Sequence, residues 1–189
     1  MKTIDDQKQI MREIVQKEAM QLTAAYCKAA DLEIYRNITE LTEYKGARTI
    51  FCYVGARLEV DTMLILKDIL QKGKTLAVPK CIGQGIMVAC QIKSLTELQS
   101  GKYGILEPDN GCIKIEPAVI DLGIIPCQTC GSDGRRLGHG GGYYDRYLGR
   151  VNFMKVALCR SKLLKENIPM GEYDVKMDVV ISEEGVKTP

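Results

Sequence analysis

A chain of 189 residues, 46% hydrophobic and 26% charged, can bury one substantial core, and its formal net charge of +2 is too small for a nucleic-acid surface or a basic membrane anchor. No run approaches the roughly 18 apolar residues that a membrane-crossing helix requires. The charged Met1–Ile10 stretch lacks the apolar centre of a secretory signal, so a cytoplasmic location is expected, without nucleic-acid or membrane partners; small-molecule partners and a monomeric state are separate expectations.

The first forty residues read as two helices. Ile4, Met11, Ile14 and Val15 recur at helical spacing, and Thr23 can cap a second helix that starts at Ala24. A β-type run, Thr49–Val54, ends at Gly55. Asp61 or Thr62 can then cap an apolar helix over Met63–Gln71, which Gly73 stops. Thr75–Val78 is the next strand, closed by Pro79, and Ile86–Cys90 follows a Gly-Gln-Gly turn. Ser94–Pro117 is turn-rich and is expected to cross the surface near a site. Beyond it the pattern predicts a strand over Val119–Ile125, a glycine loop and a short helix over Tyr144–Leu148. A buried strand over Lys155–Cys159, a helical turn near Leu163 and a closing strand at Asp178–Ile181 complete it.

There is no internal repeat, low-complexity block or long linker, so residues 1–189 are read as one domain. Short apolar strands alternating with helices predict an α/β three-layer sandwich around a mainly parallel central sheet. Ligands in such sheets bind beyond the carboxyl ends of the strands. The loop Cys127–Gly142 leaves the carboxyl end of the Val119–Ile125 strand and is where chemistry is expected.

Eight cysteines require a decision. Cys27, Cys52, Cys81, Cys90, Cys112 and Cys159 sit in apolar runs and read as small buried hydrophobes with reduced thiols. Cys127 and Cys130 form a CxxC pair. A structural zinc site needs a second pair or histidines, and the chain has a single histidine, His139, so incidental cysteines are the favoured reading over a metal or redox site.

The stretch Arg136-Leu137-Gly138-His139-Gly140-Gly141-Gly142-Tyr143-Tyr144-Asp145-Arg146 is the most informative in the chain. Four glycines in five positions let backbone N–H groups approach a phosphate, and the loop runs into a helix whose start adds further free donors. Arg136 and Arg146 flank it with forked donors, and Asp145 offers a carboxylate to magnesium. No Gly-Lys-Ser/Thr follows, so this is not a Walker A loop. It lacks the dinucleotide fingerprint as well. A surface turn with solvated arginines is the plain alternative.

This motif resembles the signature of the 5-formyltetrahydrofolate cyclo-ligase family, and the resemblance extends over nearly the whole chain. Lys8 and Arg12, Glu59-Val60-Asp61-Thr62, Gly104-Ile105-Leu106-Glu107-Pro108 and Tyr173-Asp174-x-x-Met177-Asp178 match further elements in order. One departure is Cys130-Gly131 where the family usually has Phe-Asp; another is the loop residue His139. The resemblance implies an architecture similar to sugar-phosphate isomerases and CoA-transferases. It implies ATP-dependent closure of 5-formyltetrahydrofolate to 5,10-methenyltetrahydrofolate, with ADP and phosphate released and magnesium as the metal.

Carried onto this chain, the resemblance assigns Lys8, Arg12, Arg136, Leu137, Gly138, His139, Gly140, Gly141, Gly142, Tyr143 and Tyr144 to ATP. It assigns Val54, Glu59, His139, Gly140 and Tyr144 to the folate. Arg136 is the catalytic group, stabilising transition-state charge, and Asp145 and Asp174 are the magnesium ligands, with Asp178 a nearby substitute for the latter. Two other readings stand beside this one. An isomerase or CoA-transferase relative would use a carboxylate or lysine and no ATP; a non-catalytic folate or nucleotide binder would bind without turnover.

Overall fold

The structure is a computed structural model that describes residues 2–101 and 104–189; Lys102 and Tyr103, inside the turn-rich Ser94–Pro117 stretch, lie outside the described residues, as does Met1. Helix α1 (Ile4–Gln21) opens on a capping box, Thr3 with Asp6, and α2 (Ala24–Glu40) opens on Thr23, whose hydroxyl accepts from the Tyr26 amide. A short α3 (Thr42–Gly46) leads into β1 (Thr49–Cys52), and α4 (Met63–Gln71) follows. Next come β2 (Thr75–Gly83), β3 (Ile86–Ile92), β4 (Leu98–Ser100), β5 (Leu106–Pro108) and β6 (Ile113–Ile115). The second half holds β7 (Leu122–Ile125), β8 (Thr129–Cys130), β9 (Arg136–Leu137), α5 (Tyr143–Leu148), β10 (Met154–Leu158), β11 (Val179–Ser182) and β12 (Gly185–Lys187).

Eight strands form one sheet in the order β12-β11-β10-β7-β1-β2-β3-β6. Its centre, β11-β10-β7-β1-β2, is parallel, and the outer pairings are antiparallel. Period-two alternation sorts the side chains of the central strands onto two faces. Ile50, Cys52, Leu122, Ile124, Val156 and Leu158 meet Ile34 and Ile38 of α2 and Ile65, Leu66 and Ile69 of α4 on one face. Phe51, Ile125, Ala157 and Val180 meet Val15 of α1 and Leu148 of α5 on the other. Gly123 is required there, because a Cβ at that position would stand 2.3 Å from the Phe153 ring. This is the expected three-layer arrangement. Among the described residues no helix is long and apolar enough to cross a membrane.

Several boundaries differ from the sequence reading. Strand β2 does not stop at Pro79 but runs to Gly83: β1 pairs with it only from Thr75 to Ala77, so the proline falls where one side of the strand is unpaired. The strand expected from Val119 starts at Leu122, because Pro117–Val119 forms a 3-10 turn. The loop Cys127–Gly142 contains a small hairpin, β8–β9, in which Cys130 pairs with Arg136. The sheet does not close at Ile181; β12 returns antiparallel to β11. Cys90 and Cys112, read as free thiols, are joined as a disulfide that ties β3 to the turn before β6.

The cap of α4 divides two roles between neighbours. Asp61 Oδ1 accepts from the Met63 amide, whereas the buried Thr62 hydroxyl turns inward, donating to the Tyr53 carbonyl and accepting from the Gly55 amide. It thereby fixes the chain where it leaves β1. Thr62→Val keeps the shape and removes both bonds, so it should cost about 1–3 kcal/mol in urea unfolding, the cost of leaving buried backbone groups unsatisfied. A loss below about 0.5 kcal/mol would show that these bonds contribute little.

Candidate active site

A cavity of about 480 Å³ opens at the carboxyl ends of β1 and β7. Its walls are Tyr53 and Val54 beyond β1, Pro126 beyond β7, Pro79, Cys81 and Met87 of the β2–β3 hairpin, Ile105 and Glu107, and the loop from Gly138 to Asp145. Its size falls within the range of small-ligand sites.

The glycine loop is held open by its own conformation and by cations around it. Gly140 and Gly142 adopt φ of +89° and +68°, which side-chain-bearing residues rarely reach, and Gly142 starts α5. From α1, Arg12 Nε donates to the Gly138 carbonyl at 2.9 Å, and a Cβ on Gly140 would stand 3.2 Å from the same guanidinium. On the other flank Arg146 Nη1 donates to the carbonyls of Gly141 and Gly85, tying the loop to the β2–β3 turn.

Arg136 is the centre of the site. Its side chain is 2% exposed; Nη1 donates to the Pro126 carbonyl at 3.0 Å and Nη2 to Asp145 Oδ1 at 2.6 Å. The guanidinium also lies 5.9 Å from the Tyr144 ring centre. Its Nε is buried and has no acceptor. A buried donor without a partner costs about 1–3 kcal/mol, so this nitrogen is the one part of the guanidinium not stabilised by the pairings around it.

Glu59 faces the loop across the cavity. Its side chain is 9% exposed, Oε2 accepts from the Ala56 amide and Oε1 is 2.8 Å from His139 Nε2. Gln128 Nε2 lies 3.0 Å from His139 Nδ1. An amide nitrogen can only donate, so Nδ1 accepts and Nε2 carries the proton toward Glu59. Burial pushes the Tyr144 hydroxyl well above its ordinary range, with the Glu59 charge adding to it, so the ring serves as a neutral wall.

The sequence-predicted residues thus divide. Val54, Glu59, Arg136, Gly138, His139, Gly140, Gly141, Gly142, Tyr143, Tyr144 and Asp145 all line the cavity. Leu137 is buried behind it. Lys8 and Asp174 pair with each other at 2.5 Å, and Asp174 also accepts from the Gly171 amide; neither lines the cavity. Asp178 accepts from the Lys155 amide and pairs with Lys155 Nζ, a strand-end role. At the family's Phe-Asp position, a Cβ on Gly131 would meet Asp133 Oδ1 at 2.7 Å, and Asp133 itself pairs with Arg135.

Two residues were not assigned to the site from the sequence. Glu107 lines the cavity from β5, and only its place in Gly-x-x-Glu-Pro pointed to it. Arg160, buried past the end of β10, makes a two-point pair with Asp31 and donates to the carbonyls of Leu58 and Glu59. It fastens the turn that carries Glu59 to α2. Its partners are 101 to 129 residues away, beyond any local pattern. Arg160→Gln should speed amide hydrogen exchange at Ala56 and Asp61 about tenfold or more, a charged hydrogen bond's worth of local stability. Unchanged exchange at both would remove the fastening role.

The model of the 5-formyltetrahydrofolate cyclo-ligase family matches residues 4–183. A Schizosaccharomyces pombe protein named "Probable 5-formyltetrahydrofolate cyclo-ligase" is 30% identical, over 93% of this chain and 95% of its own length. The Mus musculus 5-formyltetrahydrofolate cyclo-ligase is 26% identical, over 96% of each. The solved structure of Aquifex aeolicus 5,10-methenyltetrahydrofolate synthetase superposes with a TM-score of 0.85 at 29% identity, covering 96% of this chain and 92% of that one. The isomerase-or-transferase reading is thereby displaced. With its fold, its glycine loop and its match along almost the entire length, this chain belongs to the 5-formyltetrahydrofolate cyclo-ligase family.

Proposed function

We propose that residues 1–189 act as one domain, and as a monomer, to close 5-formyltetrahydrofolate to 5,10-methenyltetrahydrofolate at the expense of ATP, with the chemistry in the 480 Å³ cavity. The observation that carries this reading is the buried Arg136, whose Nε lacks an acceptor beside a loop of near-bare main chain. A phosphoryl group seated on Gly138–Gly142 would supply that acceptor.

A formamide oxygen is a poor leaving group, so it must first be converted into a phosphate ester. The formyl oxygen attacks the γ-phosphorus and the bond to ADP breaks. N10 then attacks the activated carbon and loses its proton, and the C–O bond breaks to release phosphate. The protein's work is positioning and charge neutralisation. Loop amides and Arg12 hold the phosphates, and Arg136 meets the charge that develops on the transferred group. Glu59 recognises the donor edge of the pterin through Oε1, exchanging its bond to His139. Val54 and Tyr144 wall the folate, and Tyr143 closes the nucleotide side. Lys8 holds α1 to Asp174 and so sets where Arg12 reaches.

For magnesium, Asp145 fits: it lines the cavity and gives Oδ1 to Arg136, so its Oδ2 would hold the cation. The metal would supply neutralisation of phosphate charge. Asp174 fits less well, since it lies outside the cavity lining and is paired with Lys8.

Purified protein with ATP, magnesium and 5-formyltetrahydrofolate should form the methenyl product, followed by its absorbance. Binding of both ligands with no product would establish the binder reading instead. Arg136→Ala should lower kcat about a hundredfold, the usual loss of one preorganised donor; wild-type turnover would overturn its role. Glu59→Gln should raise KM for the folate about tenfold with kcat little changed, as removal of a contact made equally in ground and transition states. An unchanged KM would take Glu59 out of folate recognition.

A further inference from the structure

The CxxC pair, short of ligands in the sequence, gains a third member from the fold. In the parallel pairing of β7 with β10, Ile125 stands opposite Ala157. Two residues beyond that last pair, each chain carries a cysteine, Cys127 and Cys159. The β8–β9 hairpin then folds back and brings Cys130 beside them. The three sulfur atoms lie within 4.8 Å of one another, and all three residues are buried.

We propose that Cys127, Cys130 and Cys159 form a binding site for a thiophilic d10 cation such as Zn²⁺. Three sulfurs around one ion at about 2.3 Å would stand roughly 3.8–4.0 Å apart, inside the observed bound. Cys127 Sγ donates to the Leu158 carbonyl at 3.3 Å and Cys159 Sγ to the Arg160 carbonyl at 3.6 Å, so these sulfurs are held in place by the main chain of β10 and the residues after it. Uptake replaces each S–H proton by a bond to the metal and releases the protons to solvent. Of the three, Cys127 borders a cavity of about 100 Å³ that Gln128 also lines, and a water from that side would supply the fourth ligand.

The location ties the metal to Arg136 without placing it in the reaction. Cys127 follows Pro126, whose carbonyl holds Arg136 Nη1, and Cys130 is the hairpin partner of Arg136. A filled site would brace the strand end and the hairpin that hold this arginine.

The test is zinc loading of the full-length, reduced protein, with excess metal removed and the remainder counted by elemental analysis. The wild type should keep one zinc per chain, and X-ray absorption should show three sulfur neighbours at about 2.3 Å. Cys159→Ser should lose the metal, while Cys27→Ser, outside the cluster, should retain it. Because the first variant depends on correct folding, the wild-type spectrum decides alone. No retained zinc, a shell of nitrogen and oxygen, or loss of the metal in Cys27→Ser would each overturn the proposal.

Discussion

The structure turns on the ion pair between Arg136 and Asp145. Arg136 comes from the hairpin that follows β7, and Asp145 from the first turn of α5; between them runs the glycine loop. The guanidinium binds both the carbonyl at the end of β7 and the carboxylate of the helix, so it spans the loop's two ends. A nearly buried charge is costly unless paired and hydrogen-bonded. This one is paired, except at its buried Nε, which has no acceptor among the described residues. The same group thus sets the shape of the loop and holds a donor in reserve for substrate.

Around that centre the fold supplies rigidity where the loop cannot. Glycine-rich main chain gives close approach to phosphate but no side-chain packing of its own. Arg12 from α1, Arg146 toward the β2–β3 turn and Arg160 beneath the Glu59 turn each bind backbone carbonyls. Arg12 and Arg146, which the sequence offered as phosphate ligands, therefore serve as struts as well. Catalysis by positioning depends on such support, because a shift of about 1 Å can cost a hundredfold in rate.

How much of this was legible depended on the range of the interaction. Local signals read well: Thr23 caps α2, Met63–Gln71 is a helix, and the glycine loop lies at the carboxyl end of a central strand, as parallel sheets require. The extension of β2 through Pro79 was hidden because a proline normally ends a strand, and only the sheet order shows that one side is unpaired there. Asp145 and Asp174 were both legible as carboxylates, but their partners were not. One is bound to Arg136 nine residues away and the other to Lys8 at the far end of the chain. Cys159 is the clearest case: nothing near it in sequence relates it to Cys127, whereas the adjacent ends of β7 and β10 bring their sulfurs together.

The central claim is that the bare main chain beyond Leu137 seats the nucleotide phosphates beside Arg136. A crystal structure with a non-hydrolysable ATP analogue tests it most directly. The terminal phosphate should lie within hydrogen-bond reach of amides between Gly138 and Gly142, with an oxygen on Arg136 Nε. Phosphates bound elsewhere, with the loop empty and that nitrogen still without an acceptor, would contradict the account.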